Sequence, residues 1–206
     1  MRDTDAMRAV HLVAKHELSI VDVAAPVPGA GEVVIALRAA ALNRRDVWMK
    51  RGEYAGLRFP CLPGSDGAGV VTAVGAGVSA SWIGSEVVIN PSFGWGERDE
   101  APGPGFSILG LPRDGTLAEQ IAVPVEQVAP KPAHLTWEQA AALPLAGLTA
   151  YRALVTRARL RAGERVLITG IGGGVAALGL MLARALGARV WVTSSRPDAL
   201  AQARAQ

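Results

Sequence analysis

The chain has 206 residues, half of them hydrophobic, a formal net charge of +3 and a single cysteine, Cys61. That is enough apolar material for a sizeable core in one or two domains. One thiol rules out an internal disulfide framework and a cysteine-cluster zinc site. Acids and bases are mixed along the chain without a basic run, which argues against nucleic acid as a partner. The longest apolar stretch, 175–186, is broken by Gly179 and Arg184 and is too short to span a bilayer. Residues 1–7 lack the apolar core of a signal peptide, so cytoplasmic, reducing surroundings are expected.

In chain order, 9–13 reads as a short strand, 18–23 alternates with period two, and 26–32 carries turn chemistry. A strongly β-prone run follows at 33–41. Residues 43–51 read as a helical turn, and 52–64 as a Gly/Pro-rich loop. Strands are expected at 67–74, 85–90 and 117–123, with a long surface loop at 91–115. Short strands separated by Gly/Pro turns indicate an antiparallel barrel or sandwich.

The grammar changes near residue 130. Thr136 and Gln139 have capping-box spacing ahead of a helix at 138–143. Residues 144–147 interrupt it, and a helix resumes at 148–157. Then come a strand at 165–169, a turn at 170–174, a helix at 175–186 with Gly187 as its C-terminal cap, a strand at 190–193 and a helix at 198–205. Strand, helix, strand, helix in this order predicts a parallel βαβ unit.

The turn reads Gly170-Ile171-Gly172-Gly173-Gly174-Val175-Ala176. A phosphate approaches such a backbone only where side chains are missing, and the N–H groups opening the next helix then point at the anion. Gly170, Gly172, Gly173, Gly174 and Val175 are therefore expected to hold a dinucleotide pyrophosphate. A lone glycine motif is weak, but this one lies between an expected strand and an expected helix. At the end of the second strand an NAD site usually places an acid for the ribose 2′-OH. Here Ser194, Ser195 and Arg196 stand instead, with no carboxylate before Asp198. They favour NADP(H), with NAD(H) as the alternative; the competing reading is an ordinary solvated loop.

Several segments together resemble the medium-chain dehydrogenase/reductase superfamily. Residues 62–71, Leu-Pro-Gly-Ser-Asp-Gly-Ala-Gly-Val-Val, resemble a strand of its GroES-like catalytic domain. Residues 40–46 resemble its catalytic loop, 115–120 its Gly-Thr-Leu-Ala-Glu segment, and 143–151 the helix that crosses into the cofactor domain. The resemblance implies a mixed fold: a GroES-like β-barrel catalytic domain over 1–130 and the first βαβ portion of a Rossmann α/β domain over 131–206. The family's zinc-ligand positions resemble Asn43, Ser65 and Leu145, which are poor ligands or none. This points to the zinc-independent quinone oxidoreductase and alcohol dehydrogenase-like branch, with no metal.

That branch implies hydride transfer from NADPH to a small quinone, enone or aldehyde. Asn43 is the first candidate beside the substrate, because an amide can donate to a developing oxyanion. Tyr54 is a candidate proton donor, the alternative being an exposed loop aromatic. Thr149 resembles a threonine near nicotinamide; its alternative is a helical threonine bonded to the preceding turn. A complete dinucleotide fold has six parallel strands. Two are expected here, so the chain reads as C-terminally truncated and poorly active, without the family's usual dimer edge. A non-catalytic GroES-like binding module and a zinc alcohol dehydrogenase are the competing functions.

Overall fold

A computed structural model describes residues 6–206. They form two compact units, one of residues 6–98 and 102–144, the other of residues 99–101 and 145–206.

The first unit is antiparallel. β1 (Ala6–Ala14) and β2 (Glu17–Ala24) form a hairpin turned at His16, whose φ is 67°. β3 (Glu32–Ala41) and β4 (Asp66–Val74) are the centre of a five-stranded sheet. β5 (Glu86–Ile89), β8 (Gln120–Pro124) and β9 (Val128–Pro130) complete it in the order β8-β3-β4-β5-β9. The expected surface loop at 91–115 contains a small two-stranded pair, β6 (Ser92–Phe93) with β7 (Ser107–Ile108). β8 begins at Gln120 rather than 117, because residues 117–118 pair with the hairpin instead: Val10 N–H donates to Leu117 O at 2.8 Å. Val33, Ile35, Val71, Val87, Ile89, Phe93, Leu109, Ile121 and Val123 form the core. Alternate residues of these strands face it, as the period of a pleated strand requires. Gly69 has a packing reason: a Cβ there would lie 2.2 Å from the Ala36 carbonyl oxygen.

Two helices complete the unit. α1 (Arg44–Lys50) follows Asn43 and turns Arg45, Asp46 and Met49 inward. α2 (Trp137–Ala141) has the expected capping box: Gln139 N–H donates to Thr136 Oγ1 at 3.3 Å and Thr136 N–H to Gln139 Oε1 at 3.1 Å. Its Ala140 and Ala141 pack on Ala68 of β4. This helix belongs to the sheet beneath it, so the compact unit reaches Pro144, past the change of sequence grammar at 130.

α3 (Pro144–Tyr151), which leads into the second unit, starts at the proline that interrupts the pattern. A proline suits a first helical turn, where its missing N–H has no partner to lose. The helix continues as a π-helical stretch over Arg152–Arg157. β10 (Arg165–Ile168), α4 (Gly174–Ala185), β11 (Arg189–Val192) and α5 (Pro197–Ala205) follow. β10 and β11 pair in parallel, Val166 beside Val190 and Ile168 beside Val192. α4 ends as expected: Gly187 has φ 79° and its N–H donates to Arg184 O at 2.9 Å. Ile171, Leu180 and Ala199 are the buried centre, with Ile168, Val190 and Val192 packed on them. The opposite face carries exposed Leu167 and Trp191, neighbours in register. Among the described residues no helix is long and apolar enough to cross a membrane.

Candidate functional site

The second unit holds the glycine turn. Its glycines do not all meet the same constraint. Gly170 and Gly172 have φ of 70° and 114°, where side chains are strained. A Cβ on Gly172 would also lie 2.9 Å from Arg196 Nη2 and 3.2 Å from Ala199 Cβ. Gly173 is different: its φ of −90° and ψ of 153° suit any residue, and nothing stands within 4 Å of the place its Cβ would take. It is the N-cap of α4, so the space above it faces the first free N–H groups of a twelve-residue helix. Ile171 holds the turn to the sheet, its N–H donating to Thr193 O at 2.9 Å while its side chain fills the core. Val175 is partly exposed in the first turn of α4.

Arg196 folds against this turn. Its Nε lies 3.7 Å from Asp198 Oδ1, an exposed pair of little energetic weight. Its backbone N–H donates to Ser194 Oγ at 3.1 Å, leaving the Ser194 O–H free to donate. Ser195 is exposed beside it. Thr149 Oγ1 donates to Leu145 O at 2.7 Å. Its only hydroxyl proton is used within α3, which leaves it acceptor capacity alone.

The first unit holds Asn43 and Tyr54, joined through a set of buried residues in which sequence reasoning passed over Arg45 and Thr116. Among the described residues the buried polar side chains are Arg45, Asp46, Ser65, Asp66 and Thr116. They form one neighbourhood. Asn43 Nδ2 donates to Asp66 Oδ2 at 2.8 Å, so one of its two amide protons is engaged. Asp46 accepts from Asn43 N–H at 2.7 Å and Gly64 N–H at 3.3 Å and ties the two loops together. Thr116 Oγ1 donates to Asp66 O at 2.8 Å.

Arg45 crosses this neighbourhood. Its Nη1 donates to Ser65 Oγ and to Leu109 O, and Ser65 Oγ donates to the same carbonyl at 2.7 Å. Its Nε donates to the Tyr54 hydroxyl oxygen at 3.3 Å, and its guanidinium carbon stands 4.9 Å from the Tyr54 ring centre. Nη2 is buried with no partner among the described residues. Arg45 has a readable signal: it stands four residues before Met49, which is fully buried, and so lies on the inner face of α1. Cys61 lies nearby. Burial pushes its thiol above the ordinary value, Asp114 adds to this, and Arg45 opposes it. Among the described residues no three His, Cys, Asp or Glu side chains gather to hold a metal.

An alcohol dehydrogenase GroES-like domain matches residues 29–133. The chain belongs to the medium-chain dehydrogenase/reductase superfamily. Within that superfamily it is 40% identical over 192 residues to a zinc-type alcohol dehydrogenase-like protein of Leptosphaeria maculans, covering 88% of this chain and 54% of the relative. It is 35% identical over 223 residues to a crotonyl-CoA reductase of Streptomyces collinus, covering 96% of this chain and 49% of that one. The crystal structure of an NAD-dependent alcohol dehydrogenase superposes with a TM-score of 0.90 at 42% identity, covering 97% of this chain and 61% of the other. The chain thus spans about half the length of these curated relatives. The expected fold, a GroES-like unit followed by the opening βαβ of a Rossmann-like unit, is the fold observed.

Proposed function

We propose that the chain is the catalytic domain and the start of the cofactor domain of a cytoplasmic, NADPH-dependent reductase. It passes hydride to a small quinone, enone or aldehyde without zinc. One observation carries the reading: the open space above Gly173 at the start of α4, with Arg196 packed against the neighbouring Gly172. Gly172, Gly173, Gly174 and Val175 would hold the pyrophosphate, and Ser194, Ser195 and Arg196 the 2′-phosphate. The dinucleotide, when bound, supplies the hydride. Asn43 offers its remaining amide proton to the acceptor oxygen, and Tyr54 delivers a proton to it.

The residues at the family's metal positions do not fit zinc. Structural and catalytic zinc sites use thiolates, imidazoles and carboxylates. Here the Asn43 amide is engaged by Asp66, the Ser65 hydroxyl lies between Arg45 and Leu109, and Leu145 has no donor. The Arg45 guanidinium beside Ser65 opposes a second cation. The names of the zinc-type and NAD-dependent relatives make the opposite choices, so both are assayed.

NADPH and NADH are each added during thermal melting of the 206-residue chain, followed by NADPH oxidation with a small quinone before and after a chelator. A larger rise in melting temperature with NADPH, and turnover that is weak but insensitive to the chelator, are expected. A larger rise with NADH would overturn the cofactor choice, and loss of turnover on chelation would restore zinc. No rise with either would favour a non-catalytic module acting through a partner.

A further inference from the structure

We propose that Arg45 is the positioning residue of Tyr54: it holds the phenol oxygen by its acceptor side, so that the hydroxyl proton is turned away from the protein and toward the acceptor. This rests on the reading of Tyr54 as proton donor and extends it to a residue that touches neither substrate nor cofactor.

The direction of the contact is unambiguous. A guanidinium has only donors, so in the 3.3 Å contact between Arg45 Nε and the Tyr54 hydroxyl the phenol oxygen accepts. Because the oxygen accepts from Arg45, its own proton is not spent on that contact and remains available for donation. The ring is restrained too, since the guanidinium carbon stands 4.9 Å from its centre. Arg45 is itself held. It is only 7% exposed, and its Nη1 is shared between Ser65, at the foot of β4, and Leu109, beside β7. The side chain therefore fixes Tyr54, which follows α1 on a loop, to the frame of the sheet. A loop residue gains the geometry of a rigid element in this way.

The chemistry needs that geometry. The Tyr54 O–H bond breaks, and its proton bonds to the acceptor oxygen. The bound dinucleotide would supply the hydride; as that hydride bonds to the acceptor's carbon, the carbon–oxygen π bond breaks and its electron pair passes to the oxygen that takes the Tyr54 proton. The dinucleotide is oxidised by two electrons, the acceptor is reduced by two, and water reprotonates the phenolate.

The 206-residue chain, Arg45→Met, Tyr54→Phe and the double variant are compared for NADPH oxidation in H2O and D2O. Tyr54→Phe is expected to lower kcat about a hundredfold and to remove the solvent isotope effect. Arg45→Met is expected to lower kcat about tenfold with the KM for NADPH unchanged, a misplacement effect. The double variant should be no slower than Tyr54→Phe. If the two losses multiply, Arg45 acts independently of Tyr54 and the proposal fails while the donor reading stands. If Tyr54→Phe changes nothing, the donor reading itself fails. A second measurement is independent of turnover. The chain has two tyrosines, so labelling the phenol carbons gives two resonances. Arg45→Met should move the Tyr54 resonance and speed its ring flips; an unmoved resonance overturns the proposal.

Discussion

Alanine at Gly173 and alanine at Gly172 separate cofactor binding from folding. Gly173 already has backbone angles that alanine accepts, and a methyl group there meets nothing within 4 Å. Such a replacement stabilises by about 0.4–1 kcal/mol through the unfolded chain. At this size that is a rise of about 1–4 °C in melting temperature. On the proposed reading, the same methyl would stand where the pyrophosphate approaches the α4 N–H groups. NADPH at about a hundred times its Kd stabilises by about 2.7 kcal/mol, roughly 5–11 °C here. In Gly173→Ala that increment should vanish although the protein melts higher. In Gly172→Ala the φ of 114° stores about 1–3 kcal/mol of strain. The buried Ala199 3.2 Å away has little room to yield, although the Arg196 tip can move. This variant should melt lower and bind NADPH poorly. Thermal melting with and without NADPH reads both effects. A Gly173→Ala protein that keeps its full NADPH increment would refute the phosphate site.

Arg196→Ala should cut affinity for NADPH about tenfold and leave NADH unchanged, read by fluorescence titration of both; equal losses would make Arg196 a pyrophosphate contact instead. Asn43→Ala removes the amide from the fully buried Asp66 and should cost about 1–3 kcal/mol in denaturant unfolding. Gly69→Ala drives a methyl group into the Ala36 carbonyl and should leave little folded protein, judged by far-UV circular dichroism. The Cys61 thiol is raised by burial first and by Asp114 second. Iodoacetamide should modify it more slowly than a free thiol at neutral pH, with a rate that climbs at more alkaline pH. Its contribution to stability is complete below the unfolded-state value and fades as pH rises through it, because the unfolded chain ionises first. An alkylation profile at or below that of a free thiol would contradict this.

Much of the fold was legible in the sequence because it is written in local periods. The β-prone run at 33–41, the capping box at Thr136 and Gln139, and Gly187 after α4 each depend on a few neighbouring residues, and each appears where expected. Where the reading slipped, the cause lay elsewhere in the chain. Residues 117–118 look like the start of a strand of the sheet but pair with the β1 hairpin. Pro144 looks like a break and begins a helix.

The site divides in the same way. The glycine turn could be found in the sequence, since absent side chains between a strand and a helix are a local fact. Whether each glycine clears a ligand or its own protein could not. Gly172 is shaped by Arg196 and Ala199, and Gly173 by empty space. Asn43 and Tyr54 stood out by residue type, yet their freedom depended on partners far along the chain. Asp66 engages one amide proton of Asn43, and Arg45 takes the acceptor side of Tyr54. Ser65 and Leu109 then immobilise Arg45 from 20 and 64 residues away. The sequence by itself determined the elements and the glycine turn, because hydrogen bonds within turns and helices follow from adjacent residues. Only the tertiary structure decided which polar side chains share a buried space, because that depends on the register in which distant strands and loops meet.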